Sequence, residues 1–436
     1  MIEDVTTAGA DFLDWSVLQK IQQRHWRQQC QHVMSNSKFY QRHLRGQSLS
    51  GNLEQLDQLP LTDKEMLRQD QDNRPPFGSY LAISPSLITR MHRTSGTTGT
   101  AMNLALTAQD ANMTALVGAR AQGASGLGPQ HRVVHCLNYQ LWMGGYTDHA
   151  TLEATGAMVV PYGVGGTRGL IEVIRELNIN AISCTPSYPA VLEQVTEQEF
   201  PDLSPRSLGL ELGLFGGEAG LDDPAFRQRL ETTWGLQARN SNYGVTDVLC
   251  NFAGQSTVCN DLHFVALDVL YPQIIDPVTA FTKPWQEGES GELVLTHLCK
   301  QAQPLVRFRT NDIITLTGTG VAKCGRTAPR FRVIGRSDDM VVVRGINVFP
   351  SMLTGLVNST DALSGEYRIL LKQPPPYDFL SLEVELAHPI EDQQNLVSGI
   401  EKQIKGQIGV SAQVQLAAPK TLPRTEGKTR RVFRSY

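Results

Sequence analysis

A chain of 436 residues is too long for one ordinary core, so at least two domains with an ample interior are expected. Its 39 Lys and Arg against 43 Asp and Glu leave a formal charge of −4, which excludes a general nucleic-acid or membrane-surface binder but allows a local basic cleft. No apolar run is long enough to span a bilayer, MIEDVTTAGADFLDW lacks the apolar segment of a signal peptide, and seven scattered Cys fit a reducing compartment; a soluble cytoplasmic protein is expected.

In chain order, Trp15, Leu18, Trp26, Cys30 and Val33 share one face at helical spacing and predict an amphipathic entry helix. SLITRMHRT and AMNLALT read as short strands bracketing the loop TSGTTG, residues 94–99. TAQDANMTALVGARAQ reads as a helix with Thr107 as its N-cap. Strands and helices then alternate: RVVHCLN and GAMVVPYG, GLIEVIRELNI, AISCTP, YPAVLEQVT, LGLELGLFGGEAG, DPAFRQRLETTWG. This alternation predicts an α/β fold with helices laid on a mostly parallel sheet, whose ligands sit at the carboxyl ends of strands, where FGGEAG and NYGVTD fall. From about residue 250 to 333 short strands and turns dominate, predicting a small β-rich subdomain. Beyond residues 335–339, YRILLKQ, LSLEVELA and AQVQLAA are strand-like and DQQNLVSGIEKQIKGQI is helical, predicting a small α+β domain. The expected division is an N-terminal domain of several subdomains over 1–335 and a C-terminal domain over 338–436.

The loop of Thr94, Ser95, Gly96, Thr97, Thr98 and Gly99 combines close backbone approach with four hydroxyls, which suits a phosphate chain; a Ser/Thr-rich turn is the ordinary alternative. It lacks the Gly-Lys-Ser/Thr ending of a P-loop and joins strand to strand, so a helix-dipole phosphate site is not expected. The ordered series TSGTTG, FGGEAG, YGVTD, RFRTND, GRSDDMVVVRGINVFP and PRTEGK resembles the adenylate-forming superfamily. YQLWMGG, CTPSYPAVL and RGINVFP are similar to its phenylacetate–CoA ligase branch in particular.

The resemblance implies an ATP-dependent, AMP-forming ligase. An aromatic or arylacetic carboxylic acid attacks the α-phosphorus, pyrophosphate leaves, and coenzyme A displaces AMP from the acyl-adenylate. It implies that the 94–99 loop grips the β- and γ-phosphates. Gly216, Gly217, Glu218, Asn242, Tyr243, Gly244 and Thr246 would surround the adenosine, with Asp312 and Arg336 at the ribose. Asp247 would be the Mg²⁺ ligand. Lys428 would bridge the carboxylate and the α-phosphate, delivered by a C-terminal domain that turns about Asp338. Arg344 and Gly345 would line the thiol tunnel, and Tyr139, Trp142 and Phe215 the acid pocket, although Trp142 and Phe215 also fit a core.

Cys250, Cys259, His263 and Cys324 resemble a structural Zn²⁺ set of this branch, with Cys250 drafted as fourth ligand; free core cysteines are the alternative. Thr100-Ala101 stands where the family has Lys-Pro, Asp247 where it commonly has Glu, and Asn311 where it has Gly. Two other functions stay open: loading the acyl group onto a carrier-protein phosphopantetheine or an amine, and a non-catalytic nucleotide-binding descendant. A homodimer is also left open.

Overall fold

The computed structural model describes residues 9–47, 51–94, 101–218, 220–423 and 430–436. The chain divides into two compact units: Met1–Gly216, Thr233–Thr310 and Ile314–Arg332 form the first, and Gly217–Thr232, Asn311–Ile313 and Val333–Tyr436 the second. The main boundary falls just before residue 335, and two short earlier segments count with the smaller unit.

A twelve-stranded sheet organises the first unit. It runs through Thr282–Lys283, Leu270–Ile275, Ser290–His297, Phe308–Gly318, Arg330–Arg336, Cys259–Phe264, Leu249–Ser256, Gln237–Val245, Leu212–Gly216, Ala181–Cys184, Arg132–His135 and Met158–Pro161. The last five strands pair in parallel, and Leu249–Ser256 joins Gln237–Val245 antiparallel. The β-rich stretch shares this sheet with the parallel half, and Gln237–Val245 is the strand where they meet. Ala181–Cys184 and Leu212–Gly216 are buried at every position, as strands covered on both faces must be.

Local chemistry sets the helices. Thr107 caps Ala108–Ala124 in a reciprocal box with Asp110, as its position predicts. The entry helix Trp15–Asn36 buries Leu18, Gln22, His25, Trp26, Gln29, Cys30 and Val33 at three- and four-residue spacing, whereas Trp15, expected on that face, is exposed. The polar members of the face are satisfied: Gln22 and Gln29 donate to the carbonyls of Leu267 and Lys300 at 2.7 and 2.8 Å, and His25 Nδ1 donates to that of Asp268 at 2.8 Å. Arg120 and Asp268, both buried, pair through two bonds of 2.7 and 2.9 Å. No helix among the described residues is long and apolar enough to cross a membrane.

The second unit carries a sheet in the order Ala412–Ala417, Leu380–Leu386, Leu363–Leu371, Val432–Arg434, with helices Pro350–Asn358 and Gln393–Gln407. Its core gathers Leu353, Val357, Ile369, Leu382, Ile400 and Ile404. A separate hairpin pairs Val341–Val343 with Ile346–Val348.

Burial holds the imidazoles of His92, His135 and His263 down to about 4 and that of His297 to about 3. An unfolded chain takes up these protons near pH 6.5, where the folded one does not, so stability falls as pH drops from about 6.5 toward 4. Burial raises the Asp148 carboxyl to about 7 and those of Asp11 and Asp339 above their usual range, which acts with the opposite sign, but His43 is also lowered and the depressed imidazoles outnumber the raised carboxyls among the described residues. Urea midpoints measured at pH 7.5 and pH 5 are expected to show the lower value at pH 5; equal midpoints would contradict this balance.

Candidate active site

Thr94 ends the described chain beyond strand Arg90–Arg93 and is anchored there. Thr94 N–H donates to the Met102 carbonyl and Thr94 Oγ1 accepts from Met102 N–H, both at 2.9 Å, so this threonine closes the base of the loop. Strands Arg90–Arg93 and Asn103–Leu106 on either side pair antiparallel, as the sequence predicts. Ser95, Gly96, Thr97, Thr98 and Gly99 lie outside the described residues, as does Lys428.

Asn242, Tyr243 and Gly244 lie at the carboxyl end of Gln237–Val245, where an α/β sheet presents ligands. The Tyr243 ring is held edge-on by Phe252 and Phe331, with centroids at 5.2 and 5.4 Å. A Cβ at Gly244 would stand 1.8 Å from the Cys250 carbonyl oxygen, so only glycine lets the antiparallel partner approach here. Val248 N–H then bonds to the Val245 carbonyl at 2.8 Å, a tight turn that carries Thr246 and Asp247. Lys64 Nζ sits 2.8 Å from Asp247 Oδ2, while buried Asp247 Oδ1 has no hydrogen-bond partner. Such an orphaned carboxylate oxygen fits a cation ligand. Lys64 was not singled out from the sequence; it is the first residue of helix Lys64–Asn73, which Asp63 caps.

In the second unit, Arg336 Nη1 lies 3.0 Å from Asp312 Oδ1 and Arg336 Nη2 2.8 Å from Asp338 Oδ2. Burial alone would lower the guanidinium's affinity for its proton, but Asp338, Asp312 and Asp339 hold it above its usual range. The charge on Arg336 is fixed, and it aligns the Asp312 carboxylate. Asn311 makes this possible with φ 63°, a left-handed conformation that Asn tolerates, and its carbonyl accepts from Ser337 N–H at 2.8 Å. Gly217 and Glu218 fall in the same unit. Arg344 and Gly345 form the two-residue turn of the 341–348 hairpin, both with positive φ, and Arg344 reaches Asp378 at 3.3 Å.

The three residues assigned to the acid pocket separate. Phe215 is wholly buried in its strand and belongs to the core. Tyr139 and Trp142 are only half-buried. The Tyr139 hydroxyl lies 2.9 Å from His149 Nδ1, and His149 Nε2 lies 3.1 Å from Glu153 Oε1, one turn further along helix Met143–Glu153. His149 and Glu153 were missed from the sequence; their spacing of four on one helix is the signal that could have found them.

The zinc set does not assemble. His263 Nε2 lies 3.8 Å from Cys324 Sγ, and Cys259 follows the same edge, paired with Ser256. Cys250 lies four positions along its strand from Gly254, the residue opposite His263, or roughly 13 Å at the rise of a strand. It packs instead with Leu104, Leu106 and Met143. Among the described residues no three His, Cys, Asp or Glu are grouped to hold a metal. Arg326 holds the Cys324 thiol below its usual range despite burial.

Residues 345–435 match the family description "AMP-binding enzyme C-terminal domain". Phenylacetate–coenzyme A ligase of Pseudomonas putida is 36% identical over 387 residues, 87% of this chain and 85% of that protein. The Escherichia coli K12 protein of the same name is 31% identical over 443 residues, 99% of this chain and 97% of that one. A solved 2-hydroxyisobutyryl-CoA ligase in complex with R3-HIB-AMP superposes with a TM-score of 0.87 at 27% identity, covering 97% of this chain and 91% of that one. The same ligase with 2-HIB-AMP and CoA gives 0.70 at 28% identity over the same shares. On the strength of these relatives, and of the motifs in their order along the sequence, the chain belongs to the phenylacetate–CoA ligase family of adenylate-forming enzymes.

Proposed function

We propose that the protein joins an aromatic or arylacetic carboxylic acid to coenzyme A through an acyl-adenylate, consuming ATP and releasing AMP and pyrophosphate. The observation that carries this reading is the identity of 31–36% with phenylacetate–CoA ligases over most of the chain, with the nucleotide motifs in order. A carboxylate is a poor electrophile, and adenylation gives it a leaving group. The enzyme's task is to align the acid oxygen with the α-phosphorus and to neutralise charge growing on the pyrophosphate.

The residues divide these tasks. Asn242 and Tyr243 take the adenine, Tyr243 by stacking, its ring held from the edges by Phe252 and Phe331. Asp312, aligned by Arg336, accepts hydrogen bonds from the ribose hydroxyls. The 94–99 loop holds the β- and γ-phosphates over the base that Thr94 closes, and Lys428 meets the acid at the α-phosphate. Mg²⁺, when bound, neutralises phosphate charge, and Asp247 through its free oxygen is the residue that would hold it; Lys64 shares that carboxylate. The C-terminal domain turns about Asp338 between the two half-reactions, and Arg344 and Gly345 then border the thiol path. Tyr139 and Trp142 line the acid pocket.

Carboxylate-dependent ATP–pyrophosphate exchange tests this reading, run over phenylacetate, benzoates, hydroxybenzoates and 2-hydroxyisobutyrate. Exchange with at least one aryl acid, followed by thioester formation with CoA in preference to a phosphopantetheinyl carrier protein or hydroxylamine, is the expected result. No exchange with any acid would return the chain to the non-catalytic alternative.

A further inference from the structure

Resting on the adenine role of Asn242, we propose that Asp148, a residue no sequence motif marks, is the positioning residue that makes this site select adenine. Asp148 projects from helix Met143–Glu153 and is 2% exposed. Its Oδ2 accepts from Asn242 Nδ2; Oδ1 is buried without a hydrogen-bond partner, and the Cys250 thiol lies beside the carboxyl. A buried acid with so few donors costs stability, which makes its contact with a nucleotide residue informative.

The chemistry follows from what each group can do. Asp148 Oδ2 accepts from the Asn242 NH₂ both in the ionised acid and in the neutral acid whose proton sits on the unpaired Oδ1, so the Asn242 amide directs its carbonyl oxygen the other way. Adenine carries an amino group at C6, a donor that this oxygen can accept. Hypoxanthine and guanine carry a carbonyl there, which the same oxygen repels. Gly216, paired with Asn242, leaves the space this side chain occupies: a Cβ at 216 would lie 2.7 Å from Asn242 Cβ and 3.3 Å from its Cγ. The strand thus fixes where the amide is, and Asp148 fixes which way round it stands.

Asp148→Asn removes the constraint, because an amide partner can donate as well as accept, and Asn242 can then turn its NH₂ toward a C6 carbonyl. Calorimetric binding of ATP and ITP to the full-length protein reads this directly. The wild type is expected to prefer ATP, and Asp148→Asn to lower the ITP-to-ATP ratio of Kd values by about fivefold or more. The exchanged pair Asp148→Asn with Asn242→Asp restores a donor toward position 242 and an acceptor toward the base, so the ATP preference should return. A folded Asp148→Asn protein whose ratio stays within about twofold of wild type overturns the proposal. If that variant does not fold, the exchanged pair decides: a native melting curve with ATP preference supports the role, and a folded exchanged pair without preference overturns it. Failure of the wild type to bind ATP at all would instead remove the nucleotide reading on which the role of Asn242 rests.

Discussion

Replacing Lys428 by Ala is expected to reduce acyl-adenylate formation by about 10²- to 10³-fold while leaving the Kd for ATP within a few-fold of wild type. The attacking carboxylate and the α-phosphate are both anionic, and their approach concentrates negative charge before the pyrophosphate departs. An ammonium group placed between them stabilises that arrangement far more than it stabilises bound ATP, and one such donor is worth on the order of 3–4 kcal/mol. ATP affinity, by contrast, rests on adenine, ribose and the outer phosphates. The second half-reaction separates the roles further. Supplied with a synthetic acyl-adenylate, the Lys428→Ala protein should still form thioester with CoA at near the wild-type rate. Pre-steady-state quench of the two half-reactions checks both statements, and equal losses in both would contradict the assignment.

Gly244→Ala is expected to lower stability by about 3 kcal/mol and to remove ATP binding in whatever fraction folds. The added carbon would stand 1.8 Å from the Cys250 carbonyl oxygen and 2.7 Å from that of Leu249. Both are backbone atoms of the paired strand, so no side-chain rotation relieves the overlap. The hairpin must open, and opening it shifts Tyr243 on one side and the turn carrying Asp247 on the other. Denaturant melts and ATP calorimetry on the same preparation check the two effects. A Gly244→Ala protein with wild-type stability would show that the strands can separate here at little cost.

Much of this fold was legible because local chemistry and tertiary packing agree. Thr107 caps the helix it precedes, the alternating segments from 132 to 234 form the parallel half of the sheet, and Asn311 takes the left-handed conformation that its substitution for Gly requires. Helix Met143–Glu153 escaped because it buries Met143, Gly144, Gly145, Thr147, Asp148, Thr151 and Leu152 around much of its surface, leaving no clear polar face to set a period. Strand Val432–Arg434 is too short to show alternation and exists through its parallel pairing with Ile369–Leu371.

The site residues divide along the same line. Asp312 and Arg336, singled out inside contiguous motifs, pair at 3.0 Å. The helix residues that meet Asp247 and Asn242 carry no such mark: Lys64 lies 183 positions from Asp247, and Asp148 lies 94 from Asn242. The zinc assignment failed for a related reason. Spacing along the chain places Cys250 and His263 close, but the register of their strands, which the spacing does not specify, keeps them apart.

Oxygen transfer from acid to nucleotide tests the chemistry most directly. The protein is incubated with ATP, CoA and an aryl acid it accepts, carrying ¹⁸O in both carboxyl oxygens, and the phosphorus products are analysed by mass spectrometry. Adenylation requires one labelled oxygen in AMP and none in pyrophosphate. Label recovered in inorganic phosphate alongside ADP would mean that the acid attacks the terminal phosphorus, and the assignment of these residues to α-phosphate chemistry would be wrong.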